Sequence, residues 1–348
     1  MPETQSRLIK CSAPIRICDL GGWTDTWFAR YGAVLNIAVL PDVEVIVGVR
    51  KKVPREAQVT IRAENYKDTY DIDTKAKAWT KHPLIEASFR IFELPKKNHL
   101  DVSIYSEAPV GASTGTSAAV SVALLGALDL IGQRSMTSHE IARKSHYIET
   151  EILGYQSGIQ DQLSSAYGGI NFIEMRNYPE ASVSPLYLPD SLRWELESRL
   201  LLIYLGRPHS SSELHKLVIK RLEKSPKYRK LLDPLRETAF RGKEALLSED
   251  LSAFGKAMIM NTEAQKQLHP ELVGEQARHV ISIARGFGVD GYKVNGAGGV
   301  GGSVTLLTKA DTRYKHALIE DIQKLNTDFR NIPIRLAPYG LRRWSIVG

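Results

Sequence analysis

Short β-branched runs alternate along this chain with longer stretches whose apolar residues recur at helical spacing. Ile9–Ile17, Val43–Arg50, Val59–Ala63 and Val102–Tyr105 read as strands. Between the first two, Gly21-Gly22-Trp23-Thr24-Asp25 reads as a turn-rich loop. A helix is expected over Pro83–Phe92, where the proline suits a first turn. Thr116–Ile131 and Ser138–Leu153 follow as helices, the second opened by Ser138 and Glu140. Gly154–Gly169 is punctuated by glycine, with a short helix over Gln160–Tyr167 in its middle.

Asn177–Ser191, rich in proline and serine, is the expected domain boundary, with units at 1–180 and 190–348. Beyond it Leu200–Leu205 reads as a buried strand. Helices are expected over Ser211–Glu223, Pro234–Ser248, Leu251–Gln267 and Leu272–Phe287. A glycine loop at Gly291–Asn295, a strand at Ser303–Leu307 and a helix at Thr312–Leu325 come next. Strands near Ile332–Ala337 and Arg343–Val347 end the chain. The mixture predicts an α+β fold of two domains, each with sheet and helices.

Composition narrows the class. The 348 residues are 43% hydrophobic and 24% charged, as in a soluble globular protein able to bury a sizeable core. No apolar run approaches the roughly 18 residues of a membrane span. Met1–Arg7 lacks the pattern of a signal peptide, and the two cysteines, Cys11 and Cys18, share one apolar segment. A cytoplasmic protein without a disulfide framework is expected. The net charge of +7 suits anionic small-molecule substrates. The basic stretch Lys216–Lys230 also carries Leu217, Val218 and Leu222, with Leu231 and Leu232 directly after it. It therefore reads as a solvated amphipathic helix rather than a nucleic-acid face.

The most informative segment is Pro109–Ala119, a small-residue loop that turns into a helix. A helix start presents N–H groups without intrahelical partners, and its dipole adds positive charge there. Gly111, Ala112, Ser113, Thr114, Gly115, Thr116 and Ser117 thus form a candidate phosphate cradle. An ordinary capped helix after a polar loop has the same pattern.

Three segments, Ser12–Asp25, Pro109–Ala119 and Lys293–Ser303, occur in an order and spacing that resembles the GHMP kinase superfamily. The third, with Gly296, Gly298 and Gly299 in its loop, contains Gly296-x-Gly298-x-x-Gly301, but a strand rather than a helix follows, so a dinucleotide fingerprint does not fit. No Walker A motif is present. The resemblance implies the GHMP kinase fold, with the active site in the cleft between domains. It also implies ATP and Mg²⁺, and a small-molecule sugar or sugar-phosphate substrate. No nucleic acid or membrane partner is implied, and the oligomeric state is left open, a homodimer included.

By the same resemblance, Asp161 in the Gly158-x-Gln160-Asp161-Gln162 turn is the catalytic base. Glu149 is the magnesium ligand with Ser117 as its hydroxyl partner, and Glu151 is the alternative to Glu149. Arg16 is the cation beside the base, and Asp25 accepts hydrogen bonds from sugar hydroxyls. A guanidinium beside a carboxylate favours its charged form and can neutralise charge on a moving phosphoryl group.

The motif Gly21-Gly22-Trp23-Thr24-Asp25 lacks the Glu-His pair of galactokinases and resembles the heptose-7-phosphate kinase and fucokinase branch. That implies transfer to the anomeric hydroxyl of a heptose 7-phosphate or related sugar. Alternatives are a kinase for a free hexose, fucose or uronic acid, an isoprenoid-type kinase, and a non-catalytic sugar sensor on a kinase fold. Gly22, Trp23 and Gln160 join Asp25 as candidate substrate contacts, and Trp23 or Trp27 could stack on a sugar or pack in the core. Arg207, His209 and Ser210 are candidates for an acidic group on the sugar; a serine-capped helix start would explain them equally.

Overall fold

The computed structural model describes residues 7–74, 76, 78–207 and 212–347. His209 and Ser210 therefore lie outside the described residues. The strands are β1 (Arg7–Leu20), β2 (Gly32–Lys51), β3 (Val59–Ala63), β4 (Asp68–Ile72), β5 (Asn98–Ser106), β6 (Ile170–Asn177), β7 (Glu180–Leu186), β8 (Leu200–Tyr204), β9 (Gly291–Val294), β10 (Ser303–Leu307), β11 (Arg330–Ile332), β12 (Arg335–Leu336) and β13 (Arg342–Val347). The helices are α1 (Pro83–Arg90), α2 (Thr116–Gly132), α3 (Ser138–Tyr147), α4 (Gln160–Tyr167), α5 (Asp190–Arg199), α6 (Ser212–Lys224), α7 (Pro226–Arg229), α8 (Asp233–Leu247), α9 (Leu251–Leu268), α10 (Glu275–Gly286) and α11 (Thr312–Leu325).

Two sheets organise the chain. The larger runs β13-β1-β2-β5-β3-β4, with β6 and β12 also on β2, and β7 on β6. The smaller is antiparallel, in the order β11-β8-β10-β9. The long β2 explains the first arrangement. Its first half pairs with β6 and its second half with β5, while β1 runs along the other side. Val43, Val45, Val47 and Val49 alternate inward along it, the period that buries one face of a strand. The last strands of the chain return to this sheet, β12 beside Val39 and Leu40, β13 beside β1.

Helix α2 is apolar nearly all round and lies in the core against β1, β2, α1 and α4, as its composition requires. Thr137 and Glu140 start α3 with a reciprocal cap: Glu140 N–H donates to Thr137 Oγ1 at 3.2 Å and Thr137 N–H to Glu140 Oε2 at 2.7 Å. Leu201, Ile203, Val304 and Leu306 of the second sheet share a separate core with Val280, Leu318 and Ile322 from α10 and α11.

Three expectations change. The helix expected over Ser138–Leu153 is α-helical only to Tyr147 and continues as a π turn over Ile148–Ile152. The glycine loop expected at Gly291–Asn295 is strand β9, buried throughout, and the loop follows it. The segment read as a boundary, Asn177–Ser191, holds β7 and the start of α5. Its alternate exposure in β7 is that of an edge strand with one face in solvent, a pattern masked by its Pro and Ser content.

Candidate active site

Four pieces of chain converge. Strand β1 brings Arg16. Its register against β2 shifts between Pro14 and Ile15 and again between Ile17 and Leu20, and such bulges re-aim side chains. Arg16 Nε donates to Asp161 Oδ1 at 2.8 Å and Nη2 to Asp161 Oδ2 at 3.0 Å. Its third nitrogen, Nη1, donates to the carbonyl of Ser113, and its backbone N–H donates to Thr114 O at 2.9 Å. Burial opposes the charge on Arg16, but Asp161 and Asp19 outweigh it and raise its pKa. Asp161 occupies the first turn of α4.

The second piece is residues 111–117, leading into α2. Gly115 caps the helix with a φ of 70°, in the left-handed region that favours glycine. A Cβ there would stand 3.2 Å from Arg16 Cγ and 3.4 Å from the Asp161 carboxylate, so the bare backbone lets the loop lie against the ion pair.

The third piece is the glycine loop after β9. Ser303 Oγ donates to Ala112 O at 2.6 Å, and Gly296 and Gly302 approach Ser113. Gly299 N–H donates to Leu272 O at 2.9 Å, and a Cβ on Gly298 would stand 2.0 Å from the same oxygen.

Two cavities meet at the Arg16–Asp161 pair. The larger, about 640 Å³, is lined by every residue from Gly111 to Ala118 and by Glu149 and Gln162, and extends to Tyr66, His82 and Ile85. The smaller, about 170 Å³, is lined by Trp23, Asp25, Trp27, Phe28, Gln160 and His215. Arg16, Asp161, Gln156, Ser157, His215, Gly296 and Ala297 line both. A third, open trough of about 700 Å³, beside His139, Tyr167 and Tyr339, shares no residue with either and none of their chemistry.

The carboxylates differ in their surroundings. Asp25 accepts from Gln160 N–H at 3.0 Å, yet burial pushes its pKa up to about 6. Glu149 lies in the π turn, and single π turns inside helices change which side chains face a cavity. Glu149 is buried and Glu151 exposed. Burial raises the Glu149 carboxyl to about 7, against the pull of Ser157. Among the described residues no cation pairs with Glu149, and the Ser117 hydroxyl lines the same cavity. A buried carboxylate without a cation and a nearby hydroxyl are hard oxygen donors of the type Mg²⁺ takes, with the remaining positions left to phosphate and water. Both amide atoms of Gln162 and the Trp23 indole N–H are buried without hydrogen-bond partners.

Residues 83–169 match the family described as GHMP kinases N terminal domain. Over these residues the chain is similar to the GHMP kinases. The chain is 26% identical over 88% of its length to the bifunctional fucokinase/GDP-fucose pyrophosphorylase of Arabidopsis thaliana, covering 30% of that protein. It is 33% identical over 60% of its length to a mevalonate kinase of Pyrococcus horikoshii, covering 60% of it. The chain thus spans less than two thirds of these curated relatives. In fold it is similar to a D-glycero-D-manno-heptose 1-phosphate kinase from Bacteroides thetaiotaomicron, with a TM-score of 0.75, 21% identity and coverage of 97% and 99%.

Of the site residues read from the sequence, Arg16, Asp161, residues 111–117, Glu149, Asp25, Trp23, Gln160 and Gly296 line one or both cavities. Gly22, Gly298, Gly299 and Arg207 line neither. Gly22 packs behind the site, where a Cβ would stand 2.6 Å from Asp19 Oδ2. Arg207 is exposed, and its carbonyl accepts from Gly302 N–H at 3.2 Å. Sequence reasoning missed Asp19, Ser157, His215 and Lys293. Lys293 carried one available signal: a lone charge among apolar residues of a short strand is buried only if something pairs with it.

Proposed function

We propose that this chain is an ATP- and Mg²⁺-dependent kinase that transfers the γ-phosphoryl group to a sugar hydroxyl. The observation that carries the reading is the meeting of two cavities at one ion pair. The larger has a helix-start cradle suited to a triphosphate. The smaller holds hydroxyl-binding groups and meets the larger at a shared wall that includes Arg16 and Asp161. Phosphoryl transfer asks a protein mainly for positioning and charge stabilisation, and these parts provide both.

In this reading Asp161 accepts the proton of the attacking hydroxyl. Arg16 holds both oxygens of that carboxylate in a fixed plane, a geometry lysine could not supply. Glu149 and Ser117 would hold the magnesium ion, which when bound offsets phosphate charge. Asp25 and Gln160 orient the acceptor. The indole faces of Trp23 and Trp27 exclude water from it.

The acceptor cavity favours a sugar over mevalonate. Asp19, Asp25 and Asp161 line it, and among the described residues Arg16, already paired, is its one Arg or Lys. Carboxylates accept from many hydroxyls, so a polyhydroxylated acceptor uses this lining better than mevalonate does. The anomeric hydroxyl of a heptose 7-phosphate or related sugar is the leading acceptor; a free hexose, fucose or a uronic acid is the alternative. The test is ADP release by the purified chain with ATP, Mg²⁺ and a panel of these compounds and mevalonate. Turnover with a sugar and none with mevalonate is expected. Turnover with mevalonate alone would overturn the acceptor. Sugar binding without any ADP release would make the chain a sensor.

A further inference from the structure

Behind the Arg16–Asp161 pair lies a second pair of buried charges. Asp19 of β1 and Lys293 of β9 are each 1% exposed, and Lys293 Nζ stands 3.3 Å from Asp19 Oδ1. The same oxygen accepts from Gly296 N–H at 3.0 Å and lies 4.0 Å from Arg16 Nη1. The other oxygen, Oδ2, is buried without a partner against Gly22. The carboxylate is thus one-sided, its contacts all facing the glycine loop, the lysine and Arg16. The second bulge of β1, at Cys18 and Asp19, produces this aim, and Cys18 N–H donates to Asn295 Oδ1 at 3.1 Å.

Lys293 is equally committed. Besides Asp19 it donates to Gln265 Oε1 at 3.3 Å and to the carbonyl of Val294, while Gln265 Nε2 donates to Gly296 O at 3.2 Å. Charges therefore alternate in one line, Lys293, Asp19, Arg16, Asp161, buried as far as Arg16 and reaching the cavities at Asp161. A buried ion pair adds little to stability, because desolvation offsets the attraction, and so stability alone does not account for this one. Asp161 sets the plane of the guanidinium by two hydrogen bonds, and Asp19, 4.0 Å away on the other side, adds a charge contact that draws it back.

We propose that Asp19 and Lys293 form a positioning pair that holds the Arg16 guanidinium in place against Asp161 and ties that geometry to the seated glycine loop. Lys293 lines neither cavity, and Asp19, though part of the acceptor cavity's lining, is 1% exposed and turns its paired oxygen toward Lys293 and Gly296. Their effect passes through Arg16 and through the backbone of Gly296, which packs on the phosphate loop at Ser113. The inference rests on the kinase reading above.

The test uses Asp19→Asn, Lys293→Gln and the double variant, with wild type in parallel. Turnover, both KM values and thermal midpoint are measured for each. The single variants should lose about tenfold in kcat with the nucleotide KM unchanged, and each should be less stable, since one buried charge is left unpaired. In the double variant the amide pair removes the unpaired charge. Its thermal midpoint should recover while kcat stays about tenfold down. Recovery of kcat together with stability would overturn the proposal, as would wild-type kcat in any folded variant lacking the Asp19 charge. Failure of all three to fold would make the pair a folding element and overturn it too. A wild-type chain without ATP-dependent transfer to any acceptor would instead remove the kinase reading, and this inference with it.

Discussion

Arg16 and Asp161 meet edge to edge, with Nε to Oδ1 at 2.8 Å and Nη2 to Oδ2 at 3.0 Å. They come from a strand and a helix start far apart in the chain. Each carboxylate oxygen spends one acceptor position on the guanidinium and keeps another for the cavities. The Arg16 side chain is 5% exposed and that of Asp161 28%, so the pair has a sheltered cation and an accessible carboxylate.

Asp161→Asn should leave nucleotide binding intact and lower turnover by about two orders of magnitude or more, the usual scale of acid–base assistance. Calorimetry with nucleotide and single-turnover kinetics separate the two quantities. Near-normal turnover would mean that the proton leaves by another route.

Glu149 and Glu151 should separate in a magnesium titration. Glu149→Gln keeps the shape and removes the charge that would face the ion. The Mg²⁺ concentration for half-maximal activity should rise on the order of tenfold, the factor that about 1.4 kcal/mol represents. Glu151 is exposed, so Glu151→Gln should leave the titration unchanged. A shift with Glu151→Gln and none with Glu149→Gln would exchange their roles.

Gly158→Ala should damage acceptor binding selectively. A Cβ there would stand 2.0 Å from Asp25 Oδ2, so the carboxylate must move. The acceptor KM should rise about tenfold or more, with the nucleotide KM near wild type. Equal losses for both substrates would indicate a wider collapse of the loop.

Asp25 should make stability depend on pH in a defined window. Burial raises its pKa from 3.8 to about 6, although the Gln160 N–H pulls the other way. The folded chain thus keeps a proton that the unfolded chain has lost. Stability from this group is complete below about pH 4 and is lost as pH rises to about 6. The loss is roughly 3 kcal/mol, at about 1.4 kcal/mol per pKa unit. Asp25→Asn removes the titration, so its unfolding free energy should gain on wild type across that window. Denaturant melts at several pH values test this; a constant difference from pH 4 to 6 would contradict it.

Much of this protein follows from local sequence. The apolar Val120–Leu130 run makes a buried helix, and the alternating valines of Val43–Val49 make a half-buried strand, because each pattern buries its apolar face in only one conformation. The small residues before Thr116 open a helix start, and the spacing of three glycine-rich segments pointed to the superfamily. The π turn at Glu149 was not legible, since its residues fit an α-helix equally well and packing selects the wider turn. Strand β7 was hidden because proline and serine also make linkers. The placement of Arg207 outside both cavities, and of Asp19 against Lys293, was decided only by tertiary structure. Periodicity reports which way a side chain faces within its own element. It carries no information on which distant element faces back, and a buried charge is defined by that partner.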